Sequence, residues 1–261
     1  MRESNSSNPK PSITVVIANY NNGAWMGKAI ESVKEQGVDN VRVAILDNGS
    51  TDNSWQAIEE AAGYEKQRID SLAEGITDAI CNHWLFAYRT DTPLGPSKSR
   101  NILIREFLDK ADIFAILDAD DYWLPGKLSK SILKLLESPY NGVVYTDNYL
   151  LNTNNNQTTR EFRESFNLER LFQNCYIHSG SVIKADVFKK VGLYREDMRT
   201  AEDWDLWLRA ARYFNIVHIP EPLVVARIHN QNSTNSVDPK VWQENWAKIA
   251  QTIQNVYQSH Q

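Results

Sequence analysis

The spacing of apolar and polar positions changes several times along the chain, and each change predicts an element. Residues 13–20 (ITVVIANY) form a β-branched apolar run, the pattern of a strand buried on both faces of a parallel sheet. In 21–36 (NNGAWMGKAIESVKEQ), Trp25, Met26, Ala29, Ile30 and Val33 recur at helical spacing. Residues 41–54 (VRVAILDNGSTDNS) begin as a second strand and run into a polar turn, where Asp52, Asn53 or Ser54 can cap a helix. That helix is expected to run toward residue 82, either unbroken or interrupted near Gly63 and Gly75. Residues 83–90 (HWLFAYRT) read as a third strand, 93–111 as a loop and helix, and 113–121 (IFAILDADD) as a fourth strand. Such alternation predicts an α/β domain with a mostly parallel central sheet flanked by helices. Ligands of such sheets bind beyond the carboxyl ends of the strands.

The second half continues less regularly. Residues 142–151 (GVVYTDNYLL) read as a strand, 152–159 (NTNNNQTT) as a polar turn and 165–174 as a short helix. Residues 176–194 read as a strand running into a helix, 201–213 (AEDWDLWLRAARY) as a helix, and 216–230 as a strand broken by proline. In 239–257, Trp242, Trp246, Ile249, Ile253 and Val256 share one helical face. That face can close the domain, form a homodimer or dock on a partner.

Composition narrows the class. The 261 residues are 42% hydrophobic and 23% charged, ordinary for a globular chain of one large or two small domains. A net charge of −5 speaks against a general nucleic-acid binder. Cys81 and Cys175 form no CxxC, so neither a disulfide framework nor a thiolate metal site is expected. No apolar run has the length of a membrane span, and the polar first residues are not a signal peptide. The expectation is a cytoplasmic protein, free or peripheral to a membrane, with a disordered leader at 1–11.

Three polar clusters fall at strand ends. The most unusual is Asp118-Ala119-Asp120-Asp121, which follows Ile113–Leu117 and precedes an apolar Tyr122-Trp123-Leu124. On a continuing strand Asp118 and Asp120 would share a face, and two adjacent carboxylates repel unless a cation balances them. Mg²⁺ or Mn²⁺ does so through oxygen ligands and leaves positions for phosphate. The alternative is that the acids cap a helix or meet a lysine. Asp47 in LDNGSTD can accept a hydrogen bond from a base or ribose, but this stretch is equally good turn chemistry. Lys98 and Arg100, near a helix start in GPSKSRN, can meet phosphate or form a solvated basic turn.

Taken together, VVIANYNNGAWMGKAIESVKEQ, ILDNGSTDNS, GPSKSRN, FAILDADDYWLPGKL, SGSVIKADVFKKVGLYRED, AEDWDLWLRAA and VVARIHNQNST resemble, in order and spacing, the inverting glycosyltransferases of family 2 with the GT-A fold. The resemblance spans most of 13–234. It implies a GT-A domain over 12–236, with a nucleotide-binding half at 12–124 and an acceptor-binding half at 125–236, followed by an amphipathic helix at 237–261. It implies that Asp47 holds the base of a nucleoside diphosphate, UDP before TDP or GDP, with Ala18, Asn19 and Tyr20 around base and ribose. Arg100 and Lys98 would lie near the diphosphate. Asp118, Asp120 and Asp121 match the DxD-type site, with Asp118 facing the nucleotide and Asp120 and Asp121 binding Mn²⁺ or Mg²⁺. His229 would complete the metal shell. Asp203 would be the base that deprotonates the acceptor hydroxyl, with Glu202, Trp204 and His178 lining the sugar or acceptor pocket. Against these roles stand plainer ones. Acids at a helix start are favoured by the dipole, and a lone His is more often structural.

The chain departs from the pattern in two places. Residues 60–85 are longer than usual, and Asn48 stands where many members carry a second acid. Lack of membrane helices speaks for transfer of one sugar to a glycan, lipid-linked or other hydroxyl acceptor rather than for processive synthesis. A sugar-1-phosphate nucleotidyltransferase is disfavoured because ANYNNGAW has one glycine and no basic residue. A non-catalytic sugar-nucleotide-binding module is disfavoured because the acids are all kept.

Overall fold

Two helices and two strands set the frame. The computed structural model describes residues 10–63, 65–68, 75–230, 232 and 238–258; of the expected leader, 1–9 lies outside the described residues. β1 (Ile13–Asn19) leads into α1 (Gly23–Lys34), and β2 (Val41–Asn48) into α2 (Ser54–Ala62). Asp52 caps both helices. Its Oδ2 accepts from the Gly23 amide at 2.9 Å and its Oδ1 from the Ser54 amide at 3.0 Å, so one carboxylate meets two positive helix ends.

α2 does not run on toward residue 82. It stops at Gly63, whose φ of 77° ends the helix. The chain turns back as β3 (Gln67–Arg68) and β4 (Asp78–Cys81), an antiparallel pair added outside β5 (Leu85–Thr90). The part of that expectation at 69–74 lies outside the described residues. Gly95 at φ 88° and Pro96 then start α3 (Pro96–Phe107), followed by β6 (Ile113–Ile116) and the short β7 (Tyr122–Trp123). α4 (Lys127–Leu136) was not anticipated, although Leu128, Ser131, Ile132 and Leu135 are buried at helical spacing.

β8 (Asn141–Asn152) pairs with β9 (Gln157–Glu161), so the expected turn over 152–159 shrinks to its centre, where Asn156 takes φ 56°. α5 (Leu168–Gln173), β10 (Val182–Lys184), α6 (Ala185–Val191), α7 (Glu202–Ala210), β11 (Asn215–Ile228) and α8 (Pro239–Gln258) complete the chain. Proline breaks β11 as expected, with register shifts against β8 on both sides of Pro222.

Among the described residues the eleven strands form one sheet in the order β3-β4-β5-β2-β1-β6-β10-β8-β11-β7, with β9 on β8. β1, β2, β5, β6, β8 and β11 run one way; the short β4, β7, β9 and β10 run against them. The sheet is therefore mixed, yet its principal strands present their carboxyl ends on one side.

One face packs Val16, Leu46, Phe114, Tyr145 and Trp207 with α3, α6, α7 and α8; the other packs Ile17, Ile45, Trp123 and Leu128 with α1, α2 and α4. The buried face of α8 is Asn245, Ile249, Thr252 and Val256, rotated from the expected stripe. Trp246 is half exposed and meets Trp204 edge-on at 5.0 Å between centroids. The rotation follows from Asn245 and Thr252 finding buried polar partners on the Thr200–Asp205 segment. Among the described residues no helix is long and apolar enough to cross a membrane.

Candidate active site

Parallel pairing sets Asn19 beside Asp47 at the ends of β1 and β2. Asn19 Nδ2 donates to Asp47 Oδ1 at 2.9 Å and to Ser50 Oγ at 3.2 Å, and both Asn19 and Asp47 are buried. Asp47 Oδ2 and Asn19 Oδ1 have no hydrogen-bond partner among the described residues. Arg89 Nε lies 3.6 Å from Asp47. Burial pushes the Asp47 carboxyl up, and Ser50 and Asn19 offset part of that rise. Ala18 is half-buried and Tyr20 exposed. The turn between them and α2 depends on Gly49, at φ 70°, where a Cβ would lie 2.7 Å from the Pro93 nitrogen.

β6 ends at Ile116, so the following acids lie on a turn, closed by the Asp121 amide donating to the Asp118 carbonyl at 3.0 Å. The expected sharing of one strand face by Asp118 and Asp120 therefore does not arise, because the strand has ended, and each acid has its own partners. Asp118 accepts from Arg100 Nη2 at 2.8 Å and from Ser179 Oγ. Burial alone would raise its pKa, but Arg100, then His178 and Ser179, hold it below the usual carboxylate range. Asp120 Oδ2 lies 3.0 Å from His229 Nε2 and 3.2 Å from Asn232 Nδ2. Burial and then the Asp118 charge push Asp120 up. Asp121 turns into the protein, 5% exposed, and accepts from the Arg227 amide at 2.9 Å. Burial and its two acidic neighbours push its carboxyl well up. It is an anchor between the turn and β11, not a member of the Asp120–His229 pair.

Arg100, buried on α3, joins this turn to α7. Its Nη1 donates to Glu202 Oε1 at 2.7 Å while Nη2 serves Asp118. Asp203, next to Glu202, is half-buried, and burial followed by the Glu202 charge pushes its carboxyl up to about 7. Its Oδ1 accepts from the Trp204 amide at 2.7 Å. His178 Nδ1 accepts from the Gly180 amide at 2.7 Å, leaving Nε2 at 3.7 Å from Asp121. Burial lowers the His178 pKa to about 4, so the ring is neutral at ordinary pH.

Two expected site residues lie elsewhere. Lys98 precedes Arg100 by two positions, about 200° around the helix, and is exposed in the field of Glu196. Trp204 is buried, with Nε1 donating to the Leu171 carbonyl at 2.7 Å, and fills the space between α5 and α8 rather than a pocket. Conversely, Ser179, Arg227 and Asn232 were not singled out. Arg227 lies 4.7 Å from the ring centroids of both Trp25 and Tyr122 and donates to the Asp120 carbonyl at 2.6 Å. Its signal was the Arg-x-His spacing, two residues before His229.

Among the described residues no group of three or more His, Cys, Asp and Glu side chains forms a ready metal site. The Asp120–His229 pair instead offers one carboxylate and one imidazole. The carboxylate suits Mn²⁺ or Mg²⁺ when a ligand supplies the remaining oxygens, and the imidazole favours the transition metal, Mn²⁺, over Mg²⁺.

Comparison with known proteins identifies the family and the fold. Residues 14–192 match glycosyl transferase family 2. An uncharacterized glycosyltransferase of Rickettsia typhi is 24% identical over 240 residues, covering 87% of this chain and 67% of its own. One from Methanocaldococcus jannaschii is 25% identical, covering 86% and 73%. S. aureus TarS 1–349 in complex with UDP-GlcNAc superposes with a TM-score of 0.70 at 18% identity, covering 94% of this chain and 67% of that one. The mannosyltransferase PcManGT of Pyrobaculum calidifontis, in complex with GDP-Man and Mn²⁺, superposes with a TM-score of 0.62 at 17% identity, covering 85% and 59%. The chain thus spans about two thirds or less of these solved chains, and the fold they share with it is GT-A. An enzyme of the glycosyltransferase class is what these likenesses define. The chain belongs to glycosyl transferase family 2.

Proposed function

We propose that the protein is a metal-dependent, inverting transferase that moves one sugar from a nucleoside-diphosphate sugar, a UDP-sugar, to a hydroxyl of a glycan or lipid-linked acceptor. The observation that carries this reading is the Arg100 bridge, which fixes the helix start bearing Glu202 and Asp203 beside the acid turn at Asp118. A donor end and a base end are thereby held in one frame. Asp47 Oδ2, buried beside Arg89 and without a hydrogen-bond partner among the described residues, accepts the imide N–H of the base. Asp120 and His229 would hold the ion, which when bound would supply positive charge at the diphosphate. The acceptor oxygen attacks the anomeric carbon as the bond to the diphosphate breaks; its proton passes to Asp203, and the electron pair leaves with the nucleotide. A carboxyl near 7 suits a base working close to neutral pH. By likeness of fold, the UDP-GlcNAc of TarS supports a UDP-sugar, and the Mn²⁺ beside GDP-Man in PcManGT supports a metal.

The test is calorimetric titration of UDP, TDP, GDP and CMP with Mn²⁺ and then with EDTA, beside turnover of Asp203→Asn. UDP binding that needs the metal and survives Asp203→Asn, with turnover down about 10²- to 10⁴-fold, is expected. Binding indifferent to EDTA would remove the metal from the reading, and undiminished turnover would remove Asp203.

A further inference from the structure

The residue before Glu202 and Asp203 is in an unusual conformation. Ala201 has φ 59° and ψ 19°, a left-handed backbone that costs an alanine about 1 kcal/mol or more. It turns the chain sharply into α7. A relaxed backbone here would re-aim the two acids that follow.

The hold on this turn comes from α8. Asn245, 2% exposed, donates through Nδ2 to the Thr200 carbonyl at 3.1 Å and to Thr200 Oγ1 at 2.7 Å. One turn further along, Lys248 donates to the Asp197 carbonyl and pairs with its carboxylate at 3.0 Å. Beyond it, Thr252 Oγ1 donates to the buried Asp205 at 2.8 Å. Successive polar residues of α8 thus grip the approach to the turn, the turn itself and the first part of α7. A helix serving only to cover the core would place an apolar residue at 245, where burial is nearly complete. α8 also lies outside residues 14–192, the part that matches the family.

We propose that Asn245 is a positioning residue: its two hydrogen bonds to Thr200 hold Ala201 left-handed and so aim Asp203 at the acceptor. This rests on Asp203 being the base. The tests use the full chain with Asn245→Ala, Asp203→Asn, and Asn245→Ala combined with Ala201→Gly. Hydrogen exchange over 198–206 needs no substrate. Turnover is read as nucleoside diphosphate released from the best donor among UDP-GlcNAc, UDP-glucose, UDP-galactose and GDP-mannose with Mn²⁺.

Asn245→Ala is expected to speed exchange over 200–205 and to lower kcat about 10- to 100-fold, since small misplacements of reacting groups cost that much. The donor KM stays within about twofold, because donor contacts are untouched. Adding Ala201→Gly restores most of the rate, because glycine adopts the left-handed turn without strain. Unchanged exchange and kcat, a loss carried by KM, or no rescue by glycine would each overturn the proposal. If Asn245→Ala does not fold, Asn245→Ser, which keeps one donor, undergoes the same tests. Turnover surviving in Asp203→Asn removes the base and the proposal with it. Loss in Asp203→Asn with none in Asn245→Ala removes the positioning role alone.

Discussion

At the scale of single residues, adjacent carboxylates behave differently because their partners differ. Asp118 is held ionised by Arg100, whereas Asp203, with no ion-pair partner among the described residues, is pushed up to about 7 by burial and by Glu202. The base must be ionised to act. With its pKa raised, the working form is lost as pH falls through about 7, so kcat/KM is expected to decline about tenfold per pH unit below that point and to level off above it. A pH–rate profile from 5 to 9 checks this; a flat acidic limb would contradict it. Positions were legible where chemistry is rare in sequence: the acids of LDADD and AED come together through Arg100. Positions were illegible where identity does not reveal direction. Lys98 and Arg100 are two positions apart on one helix, and only Arg100 faces the acids. Trp204 follows the acid pair immediately, yet helix geometry turns it into the core.

At the scale of elements, period and punctuation predicted the β1–α1–β2 frame, α3, α7, β11 and α8, because each carries a long apolar repeat ended by turn residues. The break near Gly63 was among the readings of 60–85, but the strands beyond it were missed because Ile69, Leu72, Ala73, Ile76 and Ile80 recur at helical spacing, and a two-residue strand such as β3 gains its shape from pairing rather than from its own pattern. β9 was hidden for the same reason, being built from polar residues at a sheet edge. The loop between β2 and α2 carries its own requirement. At Gly49 a side chain would combine a left-handed φ with contact against the backbone of Thr92 and Pro93. Gly49→Ala is expected to displace Asn48 and Ser50, weaken nucleotide binding measured by calorimetry, and cost about 1–3 kcal/mol of stability in denaturant unfolding.

At the scale of the whole molecule, one guanidinium ties two helices to the acid turn. Arg100 belongs to α3 and Glu202 to α7, and both lie largely out of water with Asp118. Arg100→Met leaves two buried carboxylates without their cation, at an expected cost of about 3–5 kcal/mol in thermal or denaturant unfolding. Replacing Asp118 and Glu202 by their amides in the same chain should return part of that stability. An equal loss in the triple variant would mean that packing, not charge, dominates.

The pairs that complete the site are far apart in order of synthesis: Arg100 and Glu202 are separated by 102 residues, Asp120 and His229 by 109. A chain growing on the ribosome folds its early strands first. Arg100 is in place for Asp118 from the start, but Asp120 must wait for His229, just past a strand made much later. The Asp120–His229 and Arg100–Glu202 pairs therefore close only after the second half of the chain has emerged, which makes this corner of the fold among the last to assemble during synthesis.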